Sequence, residues 1–415
     1  MKRAHDHENR AGHAARPLKA LISLDEAIRV AVDLVRPIER TQTLSLADAL
    51  RRVAAEDVQS AIDVPLADRA AMDGYAVRAQ DTARAGTTHA VALRRIETHD
   101  ADGVPRSLVS AGRCTKVATG TTMPKGADAV VMIEDTERDG DRVSVHASVE
   151  PGENVSRRGS DVERGSIVVR AGVVLTPARI GALAAIGHAR ARVYAKPRVS
   201  ILVTGDEVVP LGRSIRAGQV YDVNSHTIAG VVRENGGEPK AEGRASDRLA
   251  TLQIALKKAA ANDLVVVSGG SSVGEKDFVA EALESIGDMR FHGIAVKPGR
   301  PTALGLVNGK AVLGLPGNPT SCLSNGYVLL APMLRRIARL PPARATVIEV
   351  PLATRLASKM GRVEFHTVRI VDGQAVPAYK ESGAITSMAH ADGYVEIPAV
   401  VDGIEKGEIV RVVLF

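Results

Sequence analysis

The sequence predicts a multidomain α/β plus β protein: a central doubly wound α/β domain, an irregular β insertion before it and a small C-terminal β-barrel or sandwich. Three observations predict this. The 415 residues exceed what one ordinary domain holds. Between residues 198 and 340 β-type apolar runs alternate with helical periodicity, the pattern of a parallel sheet with crossover helices. On the flanks at 58–153 and 341–415, short β-type runs are separated by turn residues without that alternation.

Residues 1–17 are polar and lack the apolar core of a signal peptide. They read as a disordered extension, with His5, His7 and His13 as a weaker metal-binding alternative. Ser23-Leu-Asp-Glu26 is a capping box, behind which Ile28, Ala31, Val32 and Val35 fall on one helical face until Pro37. A second helix is expected over 46–54. From 58 to 153 the runs 91–96 and 129–133 are strands, and Asp139-Gly140 marks a tight hairpin. Mixed chain at 18–57 and 154–197 makes 58–153 an insertion into a split mixed α/β domain.

In the 198–340 domain, 199–203 is a strand. Asn224 caps a helix carrying Ile228, Val231 and Val232, and 248–261 is helical. The continuous apolar run 264–267 is a buried strand. Residues 278–285 form a helix, then 291–296 and 311–315 form strands. Beyond Pro341-Pro342 the helices stop. Runs at 346–350, 363–371 and 409–415, with turns at Asp372-Gly373, Asp392-Gly393 and Asp402-Gly403, give a small all-β domain over 341–415.

Composition narrows the function. Apolar residues are 45% and charged residues 25%, a soluble globular balance. With no Trp, four Phe and six Tyr, no aromatic stacking platform for single-stranded nucleic acid is expected. The net charge of +6 is scattered rather than gathered in a basic arm, so no nucleic-acid partner is expected. No segment resembles a membrane span. Cys114 and Cys322 have no zinc spacing and read as two buried thiols in a reducing compartment, which makes the expected location cytoplasmic.

In an open α/β sheet, ligands bind beyond the carboxyl ends of the strands, and polar motifs sit there. Thr204-Gly205-Asp206-Glu207 follows the first strand, and its paired acids suit Mg²⁺ or a turn equally well. Ser268-Gly269-Gly270-Ser271 follows the run 264–267. Its backbone amides can converge on a phosphate, with Asp277 at the next helix start as either metal ligand or cap. Lys297-Pro298-Gly299-Arg300-Pro301 and Leu315-Pro316-Gly317-Asn318-Pro319 are stiff loops that read as anion capture or as rigid turns. Asp73-Gly74 alone says only turn. Acids and bases at one sheet edge point to metal-assisted phosphate chemistry without naming a substrate.

Seven strings in order resemble the molybdopterin molybdenumtransferase (MoeA) family, related to the gephyrin E domain, from about residue 18 to the C-terminus. They are Ala71-Met-Asp-Gly-Tyr-Ala76; Ala118-Thr-Gly120 with Gly126-Ala-Asp-Ala-Val-Val131; Arg158-Gly-Ser-Asp161; Thr204-Gly-Asp-Glu207; Ser268-Gly-Gly270 with Val273-Gly-Glu275 and Asp277; Lys297-Pro-Gly299; and Leu315-Pro-Gly-Asn-Pro319. The resemblance implies a four-part subunit that forms a homodimer, with 198–340 as a molybdopterin-binding domain similar to the molybdopterin adenylyltransferases. It implies a transferase that inserts molybdate into adenylylated molybdopterin and releases AMP with Mg²⁺. Asp73, Thr119 and Asp161 would reach the site from the partner subunit's insertion. Glu207, Asp247 and Asp277 would serve metal and phosphate, and Lys297 the anionic substrate. Gly269, Gly270, Ser271, Pro298, Pro316, Asn318 and Pro319 would line the pterin site. Transient contacts with the adenylyltransferase and with molybdoenzyme maturation factors follow.

The sequence departs from that pattern at several positions. Ser246 leaves Asp247 as a single acid, Gly293 stands where some members have Lys, Thr367 where some have Arg, and Ser382-Gly383 at an expected Ser. His292, His366, Arg362 and Arg369 are the donors available to replace the missing cations. A weak paralogue or scaffold that hands over molybdopterin, and a molybdopterin adenylyltransferase, are the alternative readings.

Overall fold

The computed structural model describes residues 21–99, 105–270, 277–378 and 384–415. The His-containing extension, Ser271, Val273, Glu275, Ser382 and Gly383 lie outside them. Contacts divide the chain into two units, Met1–Thr41 with Tyr194–Phe415, and Gln42–Val193.

The first unit is built on a six-stranded sheet. Its strands are β1 (Arg198–Thr204), β2 (Glu238–Ala245), β3 (Leu264–Ser268), β4 (Asp288–His292), β5 (Ala303–Val307) and β6 (Lys310–Leu315), in the order β2-β1-β3-β6-β5-β4. The first four in that order are parallel, and β5 and β4 add antiparallel pairs. Alternate residues face opposite layers, as strand geometry requires. Val199, Ile201, Leu264, Val266, Leu313 and Leu315 pack on one core with Ile228, Val231 and Val232 of helix Asn224–Glu234, and with Leu24, Ala27 and Ala31 of helix Leu24–Leu34. Leu202, Val265, Val267 and Val312 face a second core with Leu252 and Leu256 of helix Leu249–Ala259 and Leu283 of helix Phe278–Ile286. Two apolar faces, each under its own helices, are what a doubly wound sheet needs.

β5 was not expected. It joins β6 through Asn308-Gly309, whose φ values of 51° and 74° form the kind of two-residue turn that hairpins favour. The expected strand 291–296 is two strands. β4 ends at His292, Gly293 turns at φ 99°, and Val296–Lys297 pairs in parallel with Val363 and Glu364 of the C-terminal sheet.

That C-terminal sheet runs Val296–Lys297, Val363–Val371, Gly393–Ile397, Ile409–Leu414, Val347–Pro351. Gln374–Pro377 pairs with Val363–Val371 across the left-handed Asp372-Gly373 turn, and a Leu352–Ala375 bridge brings it beside Val347–Pro351. The ring closes as a small barrel around Leu352, Val368, Val395, Ile397 and Val412. One helical turn, Thr386–Ala389, interrupts the expected all-β run.

The second unit holds a curled six-stranded sheet in the order Ala129–Met132, Gly74–Val77, Arg113–Val117, Val91–His99, Arg142–Val145, Thr136–Asp139, around Tyr75, Leu93, Val131 and Val143. The hairpin at 139–142 is present, with Gly140 at φ 61°. The helix expected over 46–54 is only Leu46–Ala49, capped by Ser45. Arg51 and Ala54 instead donate their amides to Leu175 and Val173, so tertiary pairing overrides local helix propensity.

Candidate functional site

The edge of the central sheet at Thr204, Ala245, Ser268 and Leu315 opens into a cleft of about 1180 Å³. Pockets for compact ligands run to about 1000 Å³, so this one suits a ligand of nucleotide size or more. Strand order arranges its lining by charge. Asp247 follows β2 and Glu207 follows β1. Gly269 and Gly270 follow β3, and Pro316–Pro319 follows β6. The run Lys297–Pro301 precedes antiparallel β5. Glu207 and Asp247 therefore stand at one end, the glycine and proline loops with Asp222 beside Asn224 in the middle, and Lys297, Arg300 and Arg362 at the other.

At the acidic end, Asp247 Oδ2 accepts the Asp206 amide at 3.2 Å, while its Oδ1 is buried without a hydrogen-bond partner. Thr204 Oγ1 is likewise buried and unpartnered. Glu207 is exposed and lies over Gly205, whose φ of 123° and lack of a Cβ make room for its carboxylate. An orphaned carboxylate oxygen in a cleft that a second carboxylate also lines fits a hard cation, which binds through one or two carboxylates and keeps waters. Among the described residues no group of three or more His, Cys, Asp or Glu side chains is placed to hold a metal ion.

In the middle, Gly269 has a φ of 97°, and a Cβ there would press on the Thr204 carbonyl oxygen at 2.5 Å. Asn224, expected as a cap, is instead the first helical residue. Its Nδ2 donates to Ser268 Oγ and to the Gly317 carbonyl, both at 2.7 Å, tying the β3 and β6 loops together. Asp222 takes the Ser225 amide in its stead. Asp277, which does not line the cleft, is the cap of helix Phe278–Ile286. Its Oδ1 accepts the Ala280 amide at 2.9 Å, and its Oδ2 pairs with His292 Nε2 at 2.9 Å.

At the cationic end, Glu364 is 1% exposed. Its Oε2 meets Lys297 Nζ at 3.1 Å and His366 Nε2 at 3.3 Å. Its Oε1 takes Arg362 Nε at 2.9 Å and Nη2 at 2.8 Å. Burial pushes the Glu364 carboxyl up, but the hydrogen bonds from Arg362 and Lys297 outweigh it and hold the group below the ordinary range. Burial pushes the His366 imidazole down, against the pull of Glu364.

In the second unit, strand pairing of Gly74 with Val117 brings Asp73 to Thr119. Asp73 Oδ1 accepts the Thr119 amide at 2.6 Å and its hydroxyl at 2.8 Å. Those two bonds hold the Asp73 carboxyl below the usual range, so an exposed carboxylate is kept charged. Asp73-Gly74 is not a turn. Gly74 opens a strand, and any Cβ would overlap the Val131 carbonyl. Asp161 is exposed on a loop anchored by the hydrogen bond that its backbone amide donates to the Val64 carbonyl, and its own bonds do not lead to Asp73 or Thr119.

Three family models match the chain: the MoeA N-terminal region (domain I and II) at residues 22–187, a probable molybdopterin binding domain at 200–336, and the MoeA C-terminal region (domain IV) at 349–415. A molybdopterin biosynthesis protein of Methanocaldococcus jannaschii is 34% identical over 91% of this chain and 92% of its own length. The chain belongs to the MoeA family. The molybdopterin molybdenumtransferase of Bacillus subtilis is 31% identical over 95% of this chain and 94% of its own. The crystal structure of a molybdopterin biosynthesis MoeA protein from Pyrococcus horikoshii superposes with a TM-score of 0.81 at 37% identity, covering 95% of this chain and 99% of that one.

Within this MoeA fold, the cleft collects Glu207, Asp247, Gly269, Gly270, Lys297, Pro298, Pro316, Asn318 and Pro319. Asp73, Thr119 and Asp161 belong to the other unit. Sequence reasoning missed Asn224 as a tether and Glu364 altogether. A polar residue before an apolar helical face looks like a cap whether or not it is one. An acid inside a strand shows its purpose only once its partners are known.

Proposed function

We propose that this MoeA family member inserts molybdate into adenylylated molybdopterin and releases AMP. The observation that carries the reading is the separation along one sheet edge of the Glu207 and Asp247 carboxylates from the Lys297, Arg300 and Arg362 cations, with glycine loops between them. A ligand with phosphates at one end and an oxyanion at the other fits that order.

Glu207 and the orphaned oxygen of Asp247 would hold Mg²⁺, which supplies charge neutralisation at the phosphates. Asp277 would serve the phosphates from the start of the next helix rather than complete a three-acid metal site, since a carboxylate bonded to Ala280 and His292 still has lone pairs to offer. Gly269, Gly270 and Ser271 would present backbone amides to the phosphate, and Pro298, Pro316, Asn318 and Pro319 would wall the pterin. Lys297 would hold the anionic group while dithiolene sulfurs displace molybdate oxygens. Asp73, Thr119 and Asp161 would join from the partner subunit of a homodimer. Residues 18–57 with 154–197, 58–153, 198–340 and 341–415 would be its four parts. The adenylyltransferase and maturation factors are the expected transient partners, and the cytoplasm the expected compartment. No helix among the described residues is long and apolar enough to cross a membrane.

The test mixes purified protein with adenylylated molybdopterin and Mg²⁺ and follows AMP with molybdate, with tungstate and with neither. AMP release that requires the oxyanion and Mg²⁺ is expected. Tight pterin binding without release under any condition would overturn the enzymatic reading in favour of a carrier.

A further inference from the structure

Four side chains stood open in the sequence as the second cation beside Lys297, and the structure separates them. His292 is tied to Asp277 at 2.9 Å with its side chain 14% exposed. His366 is 9% exposed and turned to Glu364. Burial disfavours its charged form. Arg369 is exposed on the stretch of the barrel strand that pairs with Val376, and it does not line the cleft. Arg362 does line it, beside Lys297 and Arg300.

We propose that Arg362 is the second cation of the anion-binding end of the cleft, and that buried Glu364 is a positioning residue that sets Arg362 and Lys297 toward one oxyanion. The inference rests on the proposed anionic substrate and names how this chain manages without Lys at 293 and Arg at 367. Lys297 and Glu364 are register partners between the short strand Val296–Lys297 and the barrel strand. The carboxylate is therefore delivered to the lysine by backbone pairing, not by a flexible loop. It divides its oxygens, Oε1 to Arg362 and the Lys359 amide, Oε2 to Lys297 and His366. Arg362 spends Nε and Nη2 on Glu364, and Nη1 has no partner among the described residues. The side chains of Lys297 and Arg362 are 40% and 30% exposed, while that of Glu364 is 1% exposed. Two cations, one buried anion and a neutral imidazole leave a net positive charge on the cleft side. A planar guanidinium held from behind presents a fixed fork to a tetrahedral oxyanion, which a swinging side chain does not.

Equilibrium dialysis of the full chain with molybdate tests this without relying on turnover. Arg362→Ala is expected to weaken molybdate binding at least tenfold and also to lower the melting temperature, because buried Glu364 loses its bidentate partner, and Arg362→Lys to recover part of both. Glu364→Gln is expected to weaken binding about tenfold and Glu364→Asp to restore most of it. In the AMP assay the loss should fall on the KM for molybdate more than on kcat. Wild-type affinity retained by a folded Arg362→Ala overturns the assignment, as does a wild type that binds no molybdate. A Glu364→Gln protein that melts earlier but binds normally makes Glu364 a clamp between strands and overturns its positioning role. Arg362-dependent molybdate binding without any AMP release sinks the proposed insertase and leaves this inference standing.

Discussion

The two ends of the cleft are built in different ways. At the acidic end, Glu207 and Asp247 follow directly on β1 and β2, parallel neighbours whose ends are in register at Thr204 and Ala245. Each acid is placed by the strand immediately before it. At the cationic end, Lys297 reaches its carboxylate across 67 residues of chain, through a strand that leaves the α/β domain to pair with the barrel. The first end is local and open, with one orphaned oxygen; the second is long-range and already neutralised in part. Ligand charge thus meets two acids with one orphaned oxygen at one end and a pre-assembled cation pair at the other.

The contrast predicts unequal consequences. Asp247→Asn keeps the shape of the acidic end and the acceptor for the Asp206 amide, but removes the charge. AMP release should fall about 100-fold, as when a metal site loses a well-placed partner, while the melting temperature stays within a few degrees. A rate within about threefold of wild type would mean that the acidic end is not used for the phosphates.

The same contrast explains how much could be read from the sequence. The doubly wound domain was legible because alternating apolar runs and helical faces are local patterns. Glu207, Gly269, Gly270 and Lys297 were legible because each follows or flanks a strand. β5 carried a usable signal, Asn308-Gly309, which a hairpin reading would have caught. Glu364 carried none. A glutamate at the start of a β run reads as solvent-facing, and only the pairing of Val296–Lys297 with the barrel makes it a buried counter-charge. Asn224 was misread for a related reason, since its bonds go to residues 44 and 93 positions away.

Asn224 stands between the two ends, and it tests whether they are coupled. Asn224→Ala removes both donors and leaves the buried Ser268 hydroxyl short of one partner and the Gly317 carbonyl without this one. A loss of about 1–3 kcal/mol is expected, read from urea melts. If the ends act through one rigid edge, AMP release and molybdate affinity should both decline in this variant. A stability loss with both functions intact would show that the ends are positioned independently.

The smallest effect expected is a dependence on pH that separates the two groups of the cationic end. The Glu364 carboxyl lies below its ordinary value in the folded protein, because Arg362 and Lys297 outweigh burial. Its contribution to stability is therefore present above the unfolded value of about 4.3 and lost as pH falls through the lower folded value. His366 is also lowered, by burial, and for a base this means that the unfolded chain takes up its proton first. Stability from that source declines as pH falls below about 6.5. Acid thus weakens the cluster in two windows, the imidazole before the carboxylate. Thermal melts of wild type and Glu364→Gln from about pH 7 to about pH 3 isolate the lower one, because other acids cancel in the difference. That difference should be largest near neutrality and shrink below about pH 4. A difference that stays constant to the lowest pH would show that the Glu364 carboxylate is not the acid-sensitive group, and that the cation pair is held by shape alone.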